Sequence, residues 1–333
     1  MKKVLTVLFV LLLTLSLAAC QTNGSNGGGE DEKKVYKVGI VAKDFSDAFT
    51  GWQAKLMKEK ADNNYADFEA TIVDCEGQIA NEISKVETFL ESGYDVILWQ
   101  CSDEEAGVEV ANKCHEAGVY LITLSNVCND DYSYAIKSDQ IQEGQAIGEY
   151  CYKYLPENAN VIICRAPDGS NYGNKRTKGF TMECLDKRPD VTLLIEKPAD
   201  WDRAKAMANM EDWLTAYDKI DAVICHNDSM ALGCADAIEA AGKTGEIMVF
   251  GIDGLPEGCW YVSQGKLTGT VIQDAITQSD KALELAHHLV TTGEPTDDVV
   301  DRMIVIKGEL VCEEYGNIDK WVEIHKESGN WQY

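Results

Sequence analysis

Basic residues are scarce in this chain: 30 lysines and arginines stand against 56 aspartates and glutamates in 333 residues, a formal charge of −26. That shortage excludes a nucleic-acid-binding face as the main function, because neutralising phosphates needs clustered Lys and Arg that the sequence nowhere assembles. Catalytic signatures are missing too. There is no G-x-S-x-G, no H-E-x-x-H, and no G-x-G-x-x-G opening a helix after a strand. Gly242-Lys243-Thr244 resembles the end of a phosphate loop, but Ala237 stands where the upstream glycine belongs and the segment closes a helix. His115, His226, His287, His288 and His325 have no patterned partners, and no D-x-[DN]-x-[DN]-G calcium loop occurs. The reading is therefore not an enzyme, with no cofactor and no metal expected.

C-x-x-C pairs are also absent, although the chain has 12 cysteines. Zinc ligation needs close pairs or Cys/His clusters, and Cys114-His115 and Cys225-His226 are isolated neighbours that cannot both turn to one metal from a strand or helix. Several cysteines lie in apolar runs, such as Val161-Ile162-Ile163-Cys164 and Ala222-Val223-Ile224-Cys225, where a reduced thiol behaves as a small buried hydrophobe. Core packing is the better reading, and reduced thiols in an exported chain imply surroundings without oxygen.

Export is written at the start of the chain. Lys2 and Lys3 precede an apolar run from Val4 to Leu17, and Leu17-Ala18-Ala19-Cys20 is a small-residue cleavage site ending in cysteine. This looks like a bacterial lipoprotein signal, and the run is shorter than the roughly 18–20 residues a spanning helix needs. The expectation is a signal peptide over 1–19 and a lipid on Cys20. Residues 20–34, rich in Gly, Asn and charge, then form a flexible tether that holds the protein outside the cytoplasm at the cell membrane.

Beyond the tether one alternation repeats. Strand runs at Tyr36 to Ala42, Phe68 to Asp74, Asp95 to Trp99, Val119 to Leu124 and Ser133 to Lys137 alternate with helical patterns at 47–64, 81–91 and 103–117. The rhythm restarts with strands at Ala159 to Cys164, Val191 to Ile195, Ala222 to Cys225, Ile247 to Gly251 and Leu267 to Ile272. A last helix covers about 274–291, followed by an apolar run at 299–307 and a short ending. The fold class predicted is α/β, with two doubly wound parallel sheets covered by helices. Gly118, Gly242 and Gly293 fall where a helix-ending glycine belongs. The tail is too short for a further domain and must return across the existing ones.

In doubly wound sheets ligands bind beyond the carboxyl ends of the strands. The residues placed there are Asp47 and Phe49, Trp201, Asn227, Asp253 and Gln273. Asp accepts from two hydroxyls, Asn and Gln donate and accept, and aromatic faces cover the C–H faces of a sugar ring. Each has a plainer alternative. Asp253 and Asn227 suit turns or N-caps, Asp228 suits the N-cap of the helix that follows, and Phe49 and Trp201 suit a core. Together at strand ends, they favour a site.

Four segments in order, ADWDRAKAM (199–207), AVICHNDSMALG (222–233), VFGIDGLPE (249–257) and LTGTVIQDAITQ (267–278), resemble the periplasmic binding proteins for glucose/galactose and ribose, the cluster B solute receptors of ABC importers. The resemblance runs from about Val35 to Asp319. It implies a type I periplasmic-binding-protein fold of two lobes, 35–137 plus 275–304 and 138–274 plus 305–333, crossed near Ser138, Asp274 and Ile304. It implies an aromatic pair, Phe49 and Trp201, and hydroxyl-binding Asp47, Asn227, Asp253 and Gln273, with Ser125 and Asn126 as further contacts. Where the family carries an arginine before its Arg-x-x-Gly-Phe-like segment, this chain has Asn174, with Lys175 the alternative. The stretch Asp168 to Asn171 is a further polar source. The implied ligand is a monosaccharide, a hexose ahead of a pentose, polyol or deoxy sugar. The implied partners are a membrane permease and its ATPase, and the receptor is expected to be monomeric. A sugar sensor for a membrane kinase or chemoreceptor shares the same residues. The effector domain of a transcription regulator shares the fold, and the export signal argues against it.

Overall fold

The computed structural model describes residues 34–329 and 331–333. The signal peptide, Cys20 and nearly all of the tether lie outside the described residues. The chain runs β1 (Tyr36–Ala42), α1 (Ala48–Asn64), β2 (Phe68–Asp74), α2 (Ile79–Glu91), β3 (Val96–Cys101), α3 (Glu104–Ala117), β4 (Tyr120–Ser125) and β5 (Tyr134–Ser138). It continues through α4 (Gln140–Tyr154), β6 (Asn160–Arg165), α5 (Asn171–Phe180), β7 (Thr192–Pro198), α6 (Arg203–Ala216), β8 (Ala222–Cys225) and α7 (Asp228–Ala240). Then come β9 (Met248–Asp253), α8 (Pro256–Ser263), β10 (Gly269–Ile272), α9 (Ala275–Thr292), β11 (Met303–Ile306), β12 (Glu309–Cys312) and α10 (Ile318–Glu327).

Two six-stranded sheets result, ordered β11-β5-β4-β3-β1-β2 and β12-β10-β9-β8-β6-β7. All pairings in the first are parallel, and the second is parallel except for its edge strand β12, which runs antiparallel to β10. Helices cover both faces, so the central strands are buried on both sides and read as unbroken apolar runs: every residue of Val96–Cys101 is buried. Each sheet therefore has two cores. One side of the second sheet gathers Ile162, Met210, Val223 and Leu232, and the other Ile147, Ile163, Phe180 and Phe250.

The chain crosses between the sheets after β5, after β10 and after β11. At these crossings Gln142 holds Gly308, accepting its N–H at 2.8 Å and donating to its carbonyl at 3.1 Å. Asp274, in the left-handed region at φ 56°, turns the chain into α9 and caps it by accepting the Thr277 N–H at 2.9 Å. Aspartate caps recur: Asp47, Asp103, Asp139 and Asp202 cap α1, α3, α4 and α6. Part of the acidic excess thus serves helix N-termini, where N–H groups and the helix dipole favour it. Left-handed Gly118 and Gly293 close α3 and α9, as the glycine pattern predicts.

The tail returns across the existing domains, as its length implies, and adds elements that the sequence reading left unassigned. Only Met303–Ile306 of the apolar run is a strand, and the ending contributes β12 and α10. Trp321 of α10 is buried against Cys259, Ile272 and Val311. One turn on, on the same face, His325 meets Trp52 of α1, ring centroids 5.7 Å apart. His325 is 1% exposed, and burial drives its pKa down to about 4 from the ordinary 6.5. It stays neutral in the folded chain while the unfolded chain takes up a proton below about pH 6.5. The contribution is therefore intact above that pH and is lost as the pH falls toward 4. Relative to wild type, His325→Phe should gain about 2 kcal/mol between pH 7 and pH 5, the equivalent of about 1.5 pKa units. Urea unfolding at the two pH values checks this, and an unchanged difference between the proteins refutes it.

All eleven described cysteines are buried free thiols. Sequence spacing hides how some of them meet. Cys164 on β6, Cys225 on β8 and Cys234 on α7 bring their sulfurs within 4.8 Å of one another, and the Cys101 and Cys128 sulfurs lie 3.9 Å apart.

Candidate functional site

The carboxyl ends of the two sheets share a cavity of about 490 Å3. Its walls come from the segments after β1, β3 and β4 in the first sheet and after β6, β7, β8, β9 and β10 in the second. Of the sequence-predicted residues, Asp47, Phe49, Asn126, Trp201, Asn227, Asp253 and Gln273 line it, and Ser125 ends β4 beside Asn126. Asn174 does not line it.

Local chemistry holds each of these residues. Asp47 caps α1, its Oδ1 accepting from the Thr50 N–H at 2.8 Å and the Thr50 hydroxyl at 2.9 Å. Phe49, one helical residue on, is buried with Leu255 and Ala275 and meets Trp52 edge-on at 6.3 Å. Asn126 donates to the Cys101 carbonyl at 2.9 Å. Asn227 is itself the N-cap of α7, accepting from the Met230 N–H at 2.9 Å, so cap and cavity wall are one residue. Asp228, expected as that cap, is instead the first helical residue. It is fully buried, accepting from the Thr270 hydroxyl at 2.6 Å and the Leu255 N–H at 2.8 Å.

Two wall residues stand on strained backbone. Trp201 has φ 63°, following Asp200 at φ 55°, and Asp253 has φ 145°. Such conformations in non-glycine residues concentrate at functional sites. Buried glutamines support the second of them. Gln100 donates to Gln53 at 2.9 Å, Gln53 to Gln278 at 3.1 Å, and Gln278 to the Gln273 carbonyl at 2.5 Å. The Gln273 amide then donates to Asp253 Oδ1 at 2.6 Å, and its own oxygen accepts from Ser138 at 3.2 Å. The chain of amides runs from the first sheet through a crossing to Asp253.

Arg176, the arginine of the Arg-x-x-Gly-Phe-like segment itself, faces the cavity, whereas Asn174 does not. Two residues along an α-helix are about 200° of rotation, so a residue facing the cavity at 176 leaves 174 on the far side. Asn174 is exposed, and Lys175 points to Glu104 at 3.9 Å. Arg176, 3% exposed, lines the cavity with its guanidinium 5.9 Å from the Trp201 ring centroid. Its Nε donates to Glu143 Oε2 at 2.9 Å, and another N–H reaches the His226 carbonyl. The contact between α4 and α5 is close because Gly144 and Gly179 face it: a Cβ on Gly179 would lie 2.0 Å from the Ile141 oxygen. A sequence signal existed. Gly173, Arg176, Gly179 and Phe180 share the buried face of α5, an arginine at apolar spacing.

Electrostatics in the cavity are dominated by burial. Asp253 is 3% exposed, and its pKa is pushed up by desolvation, then by Asp228 and Asp47, against the lowering effect of Arg176 and Gln273. Asp228 is pushed up to about 6, again by burial. His226, buried behind the wall, is driven down to about 3 by burial, Arg176 and Arg165, and is neutral. At the mouth the Asn171 amide donates to Glu104 Oε1 at 2.8 Å, joining the segment after β6 to α3 across the cleft. Asp168 also lines the mouth, paired with Arg165.

Two parallel-sheet lobes, crossed three times by one chain, with a polar and aromatic cavity between their strand ends, have the form of a two-lobed ligand-binding receptor. The chain belongs to the periplasmic binding protein family, whose domain model matches residues 38–295. It is 31% identical over 243 residues to the ribose import binding protein of Salmonella typhimurium, covering 72% of this chain and 81% of that one. It is 26% identical over 326 residues to the xylitol-binding protein of Mycolicibacterium smegmatis, covering 94% and 90%. Among solved structures, an ABC transporter solute binding protein from Bacillus halodurans with bound myo-inositol superposes with a TM-score of 0.78 at 28% identity, covering 88% and 99%.

Proposed function

We propose that this protein is an extracytoplasmic receptor that binds a monosaccharide or related polyol between two closing lobes and delivers it to the permease and ATPase of an ABC importer. The observation that carries the reading is the joint wall: Asp47, Phe49 and Asn126 from one sheet and Trp201, Asn227, Asp253 and Gln273 from the other border one cavity. Its volume of about 490 Å3 is within the usual range for small-molecule sites. The relatives named for ribose and xylitol and the neighbour holding myo-inositol support a polyhydroxylated ligand. A hexose is favoured, with Phe49 and Trp201 covering the ring and the polar residues taking its hydroxyls.

Residues 35–137 plus 275–304 and 138–274 plus 305–333 are the lobes that move. Cys20 carries the lipid that keeps a monomeric receptor at the membrane. Among the described residues no helix is long and apolar enough to cross a membrane.

A thermal-shift screen of the purified protein against monosaccharides and polyols tests the reading. Ligand at about 100 times its Kd should stabilise the protein by about 2.7 kcal/mol. Binding should also change tryptophan emission through Trp201. A full panel that leaves both the unfolding temperature and the emission unmoved rejects a sugar receptor.

A further inference from the structure

Three thiols converge in one core of the second sheet. Cys164 and Cys225 are register partners on the adjacent parallel strands β6 and β8, so their side chains leave the sheet on one face, and α7 lays Cys234 over that face. The Cys225 and Cys234 sulfurs are 3.8 Å apart, and all three lie within 4.8 Å of one another. A single atom bonded to three sulfurs at about 2.3 Å, the length of a Zn–S bond, holds them roughly 3.8–4.0 Å apart. The triangle is close to the size that one atom needs.

Which atom suits it follows from charge. All three residues are 0% exposed and share one apolar cluster with Ile162, Val223, Met230 and Ala231. Among the described residues no further cysteine, histidine or carboxylate supplies a fourth corner. Zn2+ on three thiolates keeps one net negative charge and an open position, and Cu+ keeps two negative charges, so either leaves charge in an apolar core. Arsenous acid does not. As(OH)3 is neutral and condenses with three thiols: each As–S bond forms as one As–O bond breaks, and the hydroxyl leaves with a proton as water. The product As(SR)3 is neutral, and no oxidant or reductant is consumed. Cys164, its pKa lowered to about 5 by hydrogen bonds from Cys225 and Cys234, is the first nucleophile, and the hydroxide it displaces takes its proton from solvent.

We propose that Cys164, Cys225 and Cys234 form a binding site for trivalent arsenic, taken up as arsenous acid and held by three sulfurs. The site is separate from the sugar cavity and does not depend on the ligand bound there. Once occupied, it fastens β6, β8 and α7 to one another and stabilises the fold, because the unfolded chain does not present the three thiols together.

Reduced, purified protein equilibrated with sodium arsenite and freed of excess tests the proposal, given time for the local opening that entry to a buried site requires. Native mass spectrometry should find arsenic bound with the loss of three thiol hydrogens, and X-ray absorption at the arsenic edge should find three sulfur neighbours and no oxygen. The loaded protein should also melt at a higher temperature. Cys234→Ala should lose the three-sulfur shell and the thermal gain, whereas Cys128→Ala, which removes a thiol of the other close pair, should keep both. Circular dichroism establishes that each variant is folded, and Cys225→Ala takes the place of Cys234→Ala if that variant is not. Wild type that retains no arsenic, or holds it with oxygen or only two sulfurs in its shell, overturns the proposal without reference to any variant. A three-sulfur shell that survives Cys234→Ala places the arsenic elsewhere and overturns it too, and Zn2+ that displaces the arsenic at equal concentration overturns the argument from charge.

Discussion

Replacing Arg176 by methionine should cost about 3–5 kcal/mol of stability, the scale of breaking a buried ion pair by removing one partner. The cost comes from what is left behind. Glu143 is fully buried on α4, and its Oε2 depends on the Arg176 Nε at 2.9 Å. Its Oε1 makes no hydrogen bond among the described residues. Without the guanidinium, Glu143 is an uncompensated buried carboxylate, and the His226 carbonyl loses a donor as well. A second change therefore separates this account from simple loss of packing. Arg176→Met combined with Glu143→Met exchanges the pair for apolar groups, and should recover most of the loss because such replacements are often neutral. Chemical unfolding of the ligand-free single and double variants measures the coupling. A single variant within about 1 kcal/mol of wild type, or a double variant no better than the single, contradicts the assignment.

How far the sequence disclosed the site depended on whether a residue's role followed from its neighbours or from the fold. The strands were legible because sheets covered on both faces leave unbroken apolar runs, as in Val96–Cys101. The site residues at strand ends were legible because strand ends fix where a ligand goes. Asn227 and Asp228 show the limit of that resolution. Either side chain suits an N-cap, and only the backbone decides that Asn227 caps while Asp228 goes inward to Thr270. Arg176 was read as part of a helix segment and not as a wall residue, because its buried partner Glu143 lies on another helix, 33 residues away in the chain. The return of the tail across the existing domains was legible, but β12 and α10 were not, because both depend on long-range contacts. The strand pairs antiparallel with β10, and Trp321 is buried by residues of β10, α8 and β12. The three sulfurs of Cys164, Cys225 and Cys234 likewise come together only once β6, β8 and α7 are packed.

Asp253→Asn should weaken ligand binding about ten- to hundredfold while making the ligand-free protein more stable. The two effects have one origin. Asp253 is held at φ 145° with its carboxylate 3% exposed beside the buried Asp228, an arrangement unfavourable to charge and useful only when a ligand completes it. Asparagine keeps the shape and can still accept from Gln273, but it replaces an acceptor with a donor. The ligand group that should donate there is then mismatched, at a cost of about 1–3 kcal/mol. For stability the sign runs the other way. A carboxyl whose folded pKa lies above its unfolded value penalises the folded state as the pH rises past about 4, and the penalty is relieved as the pH falls back. The variant should therefore gain stability at pH 7, and the gain should vanish near pH 4. Calorimetric titration with the ligand found by screening measures the first effect, urea unfolding at the two pH values the second, and small-angle scattering with and without ligand reports closure. A variant that binds as tightly as wild type, or that loses stability at pH 7, removes Asp253 as the charged anchor that draws the lobes together.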